Sequence, residues 1–237
     1  MNSLLNRLVA GLYCMVLLAV SGCGNRGFSD QSTGNAEHLI RKDGYTLIAP
    51  LNLYHDYEPL DSLGRVSVVV EIPAGTSEKW EVKKESGNLE WDFSNGQPRV
   101  IRYLSYPANY GMIPRTLLPK ELSGDGDPLD VIVLGPAVPR GTVLKTRLVG
   151  MLRMRDGGEQ DDKLIAVMEG SAFDNVQSLE ELEELFPGVI SILDTWFSNY
   201  KGHGVMELQE TADADEAQQV LQAAIDAYRA ESTQSGH

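Results

Sequence analysis

The most informative stretch of the chain reads Gly124-Asp125-Gly126-Asp127-Pro128-Leu129-Asp130, and it leads straight into an apolar run. Three carboxylates within six residues repel one another unless cations neutralise them. Oxygen ligands of this kind suit hard ions such as Mg²⁺ or Ca²⁺. The alternative is an acidic turn whose side chains face water. The stretch therefore predicts either a cation site or a solvated turn at the start of a buried strand.

A second acidic group reads Arg155-Asp156-Gly157-Gly158-Glu159-Gln160-Asp161-Asp162-Lys163. It lies between two predicted strands, so an ordinary hairpin turn explains it when it is taken alone. Two acidic loops of this kind could also converge at one end of a barrel and bind several cations between them.

Three shorter motifs bring cationic and aromatic side chains. Strand alternation places Lys79 and Glu81 on one face and Trp80 on the other, and an exposed salt bridge is the simpler interpretation. The rings of Tyr106-Pro107-Ala108-Asn109-Tyr110-Gly111 fit a core, but their hydroxyls could donate to phosphate oxygens. Tyr200-Lys201 follows a predicted helix whose spacing turns Tyr200 inward, which is also compatible with simple core packing.

The fold class is indicated by strand signals that follow one another with Gly, Pro, Asp and Asn between them, over residues 65–72, 79–83, 99–104, 129–134, 143–154 and 163–168. Many short strands without intervening helices favour a small antiparallel or mixed barrel. Helices come late: Ser178 and Glu181 form a capping box, Pro187 opens a second helix, and residues 213–230 are amphipathic. The predicted inner face of the second helix consists of Val189, Ile192, Leu193, Trp196 and Tyr200.

The N-terminal segment differs from the rest. Arg7 is the only charge in residues 1–22, and the apolar run 8–20 is short for a membrane-spanning helix. The run ends in Val20-Ser21-Gly22-Cys23, which resembles the lipobox of bacterial lipoproteins. We therefore expect a signal peptide over 1–22, a lipidated Cys23, a flexible tether over 23–45 and one domain over 46–237. A plain signal peptide or a buried apolar helix is the alternative.

That leader predicts an exported protein held on a membrane by its lipid alone and facing the periplasm. Gly24 after the cysteine favours the outer membrane. A cytoplasmic location follows if the leader is not processed.

The composition excludes some classes of partner and site. A net charge of -14 argues against nucleic acid or anionic lipid as a surface partner. The four histidines form no HExxH or HxH pattern, which argues against a zinc hydrolase. A polyanionic ligand would need cations between it and so acidic a protein.

The order and spacing of the motifs resemble the family I inorganic pyrophosphatases. The resemblance runs from about Arg65 to Lys201 and rests on VVVEIP at 68–73, KWE at 79–81, YPANYG at 106–111, DGDPLD at 125–130, D-x4-D-x-K at 156–163 and NYK at 199–201. It implies an α+β fold, with a small closed five-stranded OB-like β-barrel and flanking helices. It also implies Mg²⁺-dependent hydrolysis of pyrophosphate to two orthophosphates, and a homo-oligomer such as the hexamers of bacterial relatives.

The resemblance assigns roles residue by residue. It implies Asp127 as the general base for the attacking water. The implied metal ligands are Glu71, Asp125, Asp130, Asp156 and Asp161, with Asp130 bridging two ions. The implied phosphate-binding groups are Lys79, Arg99, Tyr110, Lys163, Tyr200 and Lys201, and the supporting residues are Glu81 and Tyr106.

The sequence leaves two assignments open. Arg102 rivals Arg99 as the phosphate-binding arginine, because the loop lengths before the YPANYG segment depart from the family pattern. The activity also has alternatives: a non-catalytic exported protein that binds metal or phosphate, or a hydrolase acting on nucleotides or other phosphoanhydrides.

Overall fold

A computed structural model describes residues 39–118 and 126–235. Within these ranges the strands are β1 Ile40–Arg41, β2 Thr46–Ile48, β3 Val66–Ile72, β4 Trp80–Val82, β5 Leu89–Trp91, β6 Phe93–Ser94, β7 Gln97–Pro98, β8 Asn109–Met112, β9 Asp130–Leu134, β10 Val143–Asp156, β11 Glu159–Gln160, β12 Lys163–Met168 and β13 Met206–Ala212. The helices are α1 Leu179–Leu185, α2 Val189–Phe197 and α3 Ala214–Ser235.

Five strands form a closed ring in the order β3, β8, β9, β12, β10, because β10 pairs back onto β3. The 14-residue β10 is long enough to pair with β3 at its start and with β12 further along. Only the β9–β12 pair within the ring is parallel. The expected α+β chain with a mixed five-stranded sheet is therefore confirmed.

A glycine sets the distance between β8 and β3. A Cβ atom at Gly111 would lie 1.9 Å from the carbonyl oxygen of Val69. No other residue could occupy this position without moving one of the two strands, so Gly111 is needed for the ring to close.

Both faces of the ring strands are covered, which explains their continuous apolar sequences. Val131 and Val133 of β9 belong to a core that includes α3 residues such as Leu221. Ile132 and Leu134 belong to a second core, which contains Trp196 and Phe197 of α2 and Leu182 of α1. A smaller four-stranded sheet, ordered β1-β2-β5-β4, contributes to a third core around Trp80 and Leu89.

The late helices are confirmed, with two corrections. The Ser178 hydroxyl caps α1 by accepting a hydrogen bond from the Glu181 N–H at 3.1 Å. Pro187 does not stand in the first turn of α2, because Gly188 in a left-handed conformation is the N-cap and the helix begins at Val189. Ile192 does not lie on the inner face either: its side chain is 58% exposed, whereas Leu193 and Trp196 are buried.

One predicted strand is wrong. Residues 99–104 form only an isolated bridge between Val100 and Glu78, because Ile101 donates to Ser77 and the chain then bends. In addition, β1 lies within the range 23–45 assigned to a tether, so the smaller sheet reaches back into that segment.

None of the helices in the described ranges is both long and apolar enough to cross a bilayer. The predicted signal peptide and Cys23 lie outside the described residues, as does Asp125.

Candidate active site

The parallel pairing of β9 with β12 brings the two acidic stretches together. Leu164 stands opposite Val131, so Lys163 and Asp130 lie side by side at the starts of their strands. Strand alternation puts both on the face whose next residues, Ile132 and Ile165, belong to the core against α1 and α2. The site therefore lies at one end of a buried apolar face.

Lys163 is the most buried cation of the site, at 2% exposure. Its ammonium donates to the carboxylates of both Asp130 and Asp161. Burial opposes protonation, but the two negative charges outweigh it and raise the pKa of Lys163 well above its ordinary value. The two carboxylates therefore converge on a single positive charge.

Glu71 sits at an irregularity in β3, where the register with β8 shifts between Val70 and Ile72. Its carboxylate is buried and accepts a 2.6 Å hydrogen bond from the Val82 N–H. Burial raises the pKa of Glu71 to about 8, and the charge of Asp130 adds to this effect while the hydrogen bond from Val82 opposes it.

The predicted alternation around Trp80 is confirmed. Trp80 is buried, while Lys79 and Glu81 form an ion pair of 2.6 Å on the other face. Lys83 adds a second ion pair to Glu81, at 3.1 Å. Burial opposes ionisation of Glu81, but these two lysines outweigh it and lower the pKa of its carboxyl to about 2.

Three tyrosines pack in one aromatic cluster beside the acids. Tyr106 lies 5.4 Å from Tyr110 between ring centroids, and Tyr200 stacks on Trp196 at 4.6 Å. Burial is the main reason that the pKa of each of the three phenols lies above its ordinary value. All three hydroxyls therefore remain protonated hydrogen-bond donors at neutral pH.

The two candidate arginines occupy different places. Arg99 lines the same cavity as the acids and pairs with Asp92 at 2.9 Å, and its own peptide oxygen accepts from the Trp91 indole. Arg102 is exposed and is not part of that cavity lining.

The remaining acids are also paired with lysines. Lys201 donates to Asp156, at the end of β10, and Lys84 donates to Asp127 at 2.7 Å. Among the described residues, no three His, Cys, Asp or Glu side chains are grouped as a bound metal ion would require. The lysine ammonium groups instead lie against the acids.

One cavity of about 590 Å³ is lined by nearly all of the predicted site residues. The predicted residues that line it are Glu71, Lys79, Glu81, Arg99, Tyr110, Asp127, Asp130, Asp156, Asp161, Lys163, Tyr200 and Lys201. Tyr106 is not in the lining and is buried behind Tyr110. The two acidic stretches thus converge on this cavity through Asp127, Asp130, Asp156 and Asp161, whereas Glu159 is exposed and outside the lining.

Several residues in and around this cavity were not predicted from the sequence. Lys84 and Asp162 line it. Asp92 is outside the lining but forms an ion pair with Arg99. Lys84 stands three residues after Glu81 and could have been noticed as a cation beside the KWE motif. Asp162 has no signal of its own in the sequence beyond its place in the acidic turn. Another cavity, of about 640 Å³, lies between α3 and residues 54–59 and contains none of the predicted site residues.

Comparison with known proteins agrees with this arrangement. The family model described as inorganic pyrophosphatase matches residues 68–229. The inorganic pyrophosphatase of Gluconobacter oxydans is 37% identical over 168 residues, covering 69% of this chain and 91% of that protein. The solved inorganic pyrophosphatase of Helicobacter pylori is 32% identical with a TM-score of 0.63, covering 74% of this chain and 99% of that one.

A truncated vacuolar soluble pyrophosphatase of Trypanosoma cruzi, solved in complex with PPi, shares the fold with a TM-score of 0.72 at 23% identity, covering 79% of this chain and 80% of that one. Fold, site and sequence similarity over most of the chain lead to one conclusion: the chain belongs to the inorganic pyrophosphatase family.

Proposed function

We infer that this protein is an inorganic diphosphatase, which hydrolyses pyrophosphate to two orthophosphates. The observation that carries this inference is the single cavity in which the acids of both acidic stretches face the cations Lys79, Arg99, Lys163 and Lys201. Acids that can hold metal and cations that can hold phosphate are both needed for phosphoanhydride hydrolysis. A non-catalytic relic that had lost its cationic groups would not show this set.

The charge balance of the cavity supports a requirement for divalent metal. Among the described residues, eight acidic and six cationic side chains line it, so its lining is net negative even when Glu71 is protonated. Pyrophosphate is a polyanion and would be repelled unless further positive charge were bound. The donor set fits such ions, since Asp130 and Asp161 already converge on one cation and offer only oxygen ligands.

We propose Mg²⁺ as the metal, held by Glu71, Asp130, Asp156 and Asp161, with Asp125 as a further ligand and Asp130 as the bridging one. When bound, Mg²⁺ supplies positive charge that polarises phosphoryl oxygens and activates water. Lys163 and Lys201 donate to three of these carboxylates, so their ammonium groups would lie beside the metal site, where they could also donate to phosphate oxygens.

Asp127 is proposed as the general base. Its carboxylate lines the cavity and is 59% exposed, so a water molecule can reach it. It takes a proton from water as that water attacks one phosphorus atom, and the bond from this phosphorus to the bridging oxygen breaks. Lys79, Arg99, Lys163 and Lys201, with the hydroxyls of Tyr110 and Tyr200, stabilise the charge on the leaving phosphate. Glu81 and Tyr106 support Lys79 and Tyr110 by direct contact.

We propose three further properties of the protein. The first is that the closed five-stranded ring forms an OB-like barrel, and its pairing order supports this. The lipobox-like Val20–Cys23 supports export and a lipid anchor on the outer membrane. Assembly into a homo-oligomer is supported by the resemblance to bacterial relatives.

Substrate range tests this function directly. Phosphate release should be measured from pyrophosphate and from ATP at equal concentrations, each with Mg²⁺ and with a chelator. We expect rapid release from pyrophosphate with Mg²⁺ only. Faster release from ATP would instead favour a hydrolase of nucleotides with the same fold.

A further inference from the structure

The turn between β4 and β5 carries Lys84, which the assignments above leave without a role. The turn is closed by hydrogen bonds between Lys83 and Asn88 at 2.9 Å and between Gly87 and Lys83 at 2.7 Å. From behind, the Leu53 N–H donates to the Gly87 carbonyl at 3.1 Å. The backbone that presents Lys84 is therefore fixed on both sides.

Lys84 contacts the proposed base at two points. Its ammonium donates to the Asp127 carboxylate at 2.7 Å and to the Gly126 carbonyl at 2.7 Å. The peptide around Asp127 is also held, because Leu118 exchanges backbone hydrogen bonds of 2.8 and 2.9 Å with Asp127 and Gly126. Lys84 thus links the side chain of the base to a backbone position that is already fixed.

Solvent exposure indicates that the contact between Lys84 and Asp127 affects the orientation of the carboxylate more than the stability of the fold. The side chains of Lys84 and Asp127 are 37% and 59% exposed, and an ion pair in such surroundings contributes little to stability. Packing restrains the Asp127 carboxylate only weakly at that exposure, so its direction depends on polar contacts. A donor that holds both the carboxylate and the adjacent carbonyl limits how far the carboxylate can turn.

We propose that Lys84 is a positioning residue that holds Asp127 in the orientation in which it accepts the proton of the attacking water. This inference rests on the proposed role of Asp127 as general base. Two of the three donors of the ammonium are used on Gly126 and Asp127, so Lys84 acts through the base and not by contact with phosphate.

The kinetic test compares Lys84→Met with Lys84→Arg, using Lys42→Met as a control for the loss of one exposed positive charge outside the cavity lining. Misplacement of a reacting group lowers the rate without changing substrate binding, so we expect Lys84→Met to lower kcat by about 10- to 100-fold. KM should stay near its wild-type value. Lys84→Arg should recover most of the loss, because a guanidinium group can also donate to both the Gly126 carbonyl and the Asp127 carboxylate. A raised KM with normal kcat would show that Lys84 binds substrate and would overturn the proposal.

A double-mutant cycle with Asp127→Asn distinguishes a Lys84 that positions the base from a Lys84 that is merely structural. If Lys84 acts through Asp127, adding Lys84→Met to Asp127→Asn should lower kcat no further. Additive losses would refute the role of Lys84 alone. A wild-type rate in Asp127→Asn would refute the base assignment itself, and the positioning role with it. Equal melting temperatures of the variants show that the losses do not come from unfolding.

Discussion

Lys163 on β12 lies directly beside Asp130 on β9, because these two strands run parallel with Leu164 opposite Val131. The pair joins the two acidic stretches of the sequence through one buried ammonium group. A cation at this point neutralises carboxylates that would otherwise repel each other, so the chain's own lysine occupies a position suited to positive charge.

Replacement of Lys163 should make the unfolding free energy depend more strongly on Mg²⁺. Lys163→Met leaves Asp130 and Asp161 facing each other, and their partial exposure limits the cost to about 1–3 kcal/mol of unfolding free energy. Added Mg²⁺ should restore more stability to this variant than to the wild type. Urea unfolding with and without Mg²⁺ measures both effects, with Lys42→Met as the control. Equal Mg²⁺ responses in the variant and the wild type would contradict a cation site between the two acids.

Glu71 should make the metal-free protein lose stability as pH rises. Its pKa is about 8 in the fold, against an ordinary value of 4.5, so the folded state binds the proton more tightly than the unfolded state. The stabilising contribution is fully present below about pH 4.5 and disappears as pH passes about 8. Glu71→Gln should remove this dependence. Urea unfolding at pH 5 and pH 8 with a chelator tests it, and identical pH slopes for the two proteins would argue against a buried, protonated Glu71.

The arginine assignment predicts opposite outcomes for two similar variants. Lysine cannot reproduce a bidentate guanidinium–phosphate contact, so Arg99→Lys should cost about 1.5–3 kcal/mol of transition-state stabilisation. Arg102→Lys should be nearly silent, because Arg102 is exposed and outside the cavity lining. Steady-state kinetics of both variants decide the matter. If Arg102→Lys is the damaged protein, the phosphate-binding role passes to Arg102.

Lipidation predicts a labelling pattern that depends on one of two cysteines. We expect palmitate to label the wild type and Cys14→Ser, since Cys14 lies within the leader whose removal we propose. Cys23→Ser should lose the label. Metabolic labelling followed by membrane fractionation measures this, and equal label in the wild type and Cys23→Ser would rule out the anchor.

The ring strands with strong apolar runs could be predicted from the sequence, and β12 was predicted with the bounds that the structure shows. In contrast, β8 was missed because Asn109–Met112 resembles a loop, and its pairing depends on the absence of a side chain at Gly111. The edge strand β13 was missed because four of its seven residues are exposed and polar, so it has little apolar signal.

The site was predictable as a set of residue types but not as a set of contacts. The sequence motifs contain most of the residues that line the cavity. The lysine partners of Asp127, Asp130 and Asp156 could not be predicted, because they depend on strand pairing and on turns distant in sequence. The strand predicted over 99–104 is not formed, and this too depends on partners that the sequence does not reveal. The backbone hydrogen bonds of this segment go to residues 77–79 and 92 and do not form a continuous ladder.

The most direct measurement is phosphate release from pyrophosphate over a Mg²⁺ titration, in the wild type and in Asp130→Asn. We expect no appreciable hydrolysis by the wild type without Mg²⁺ and rapid hydrolysis at saturation. The variant loses a charge at the proposed bridging position and should be slower by at least about 100-fold at saturating Mg²⁺. Full wild-type activity in a chelator, or near-normal turnover of Asp130→Asn, would contradict metal-dependent catalysis at this site.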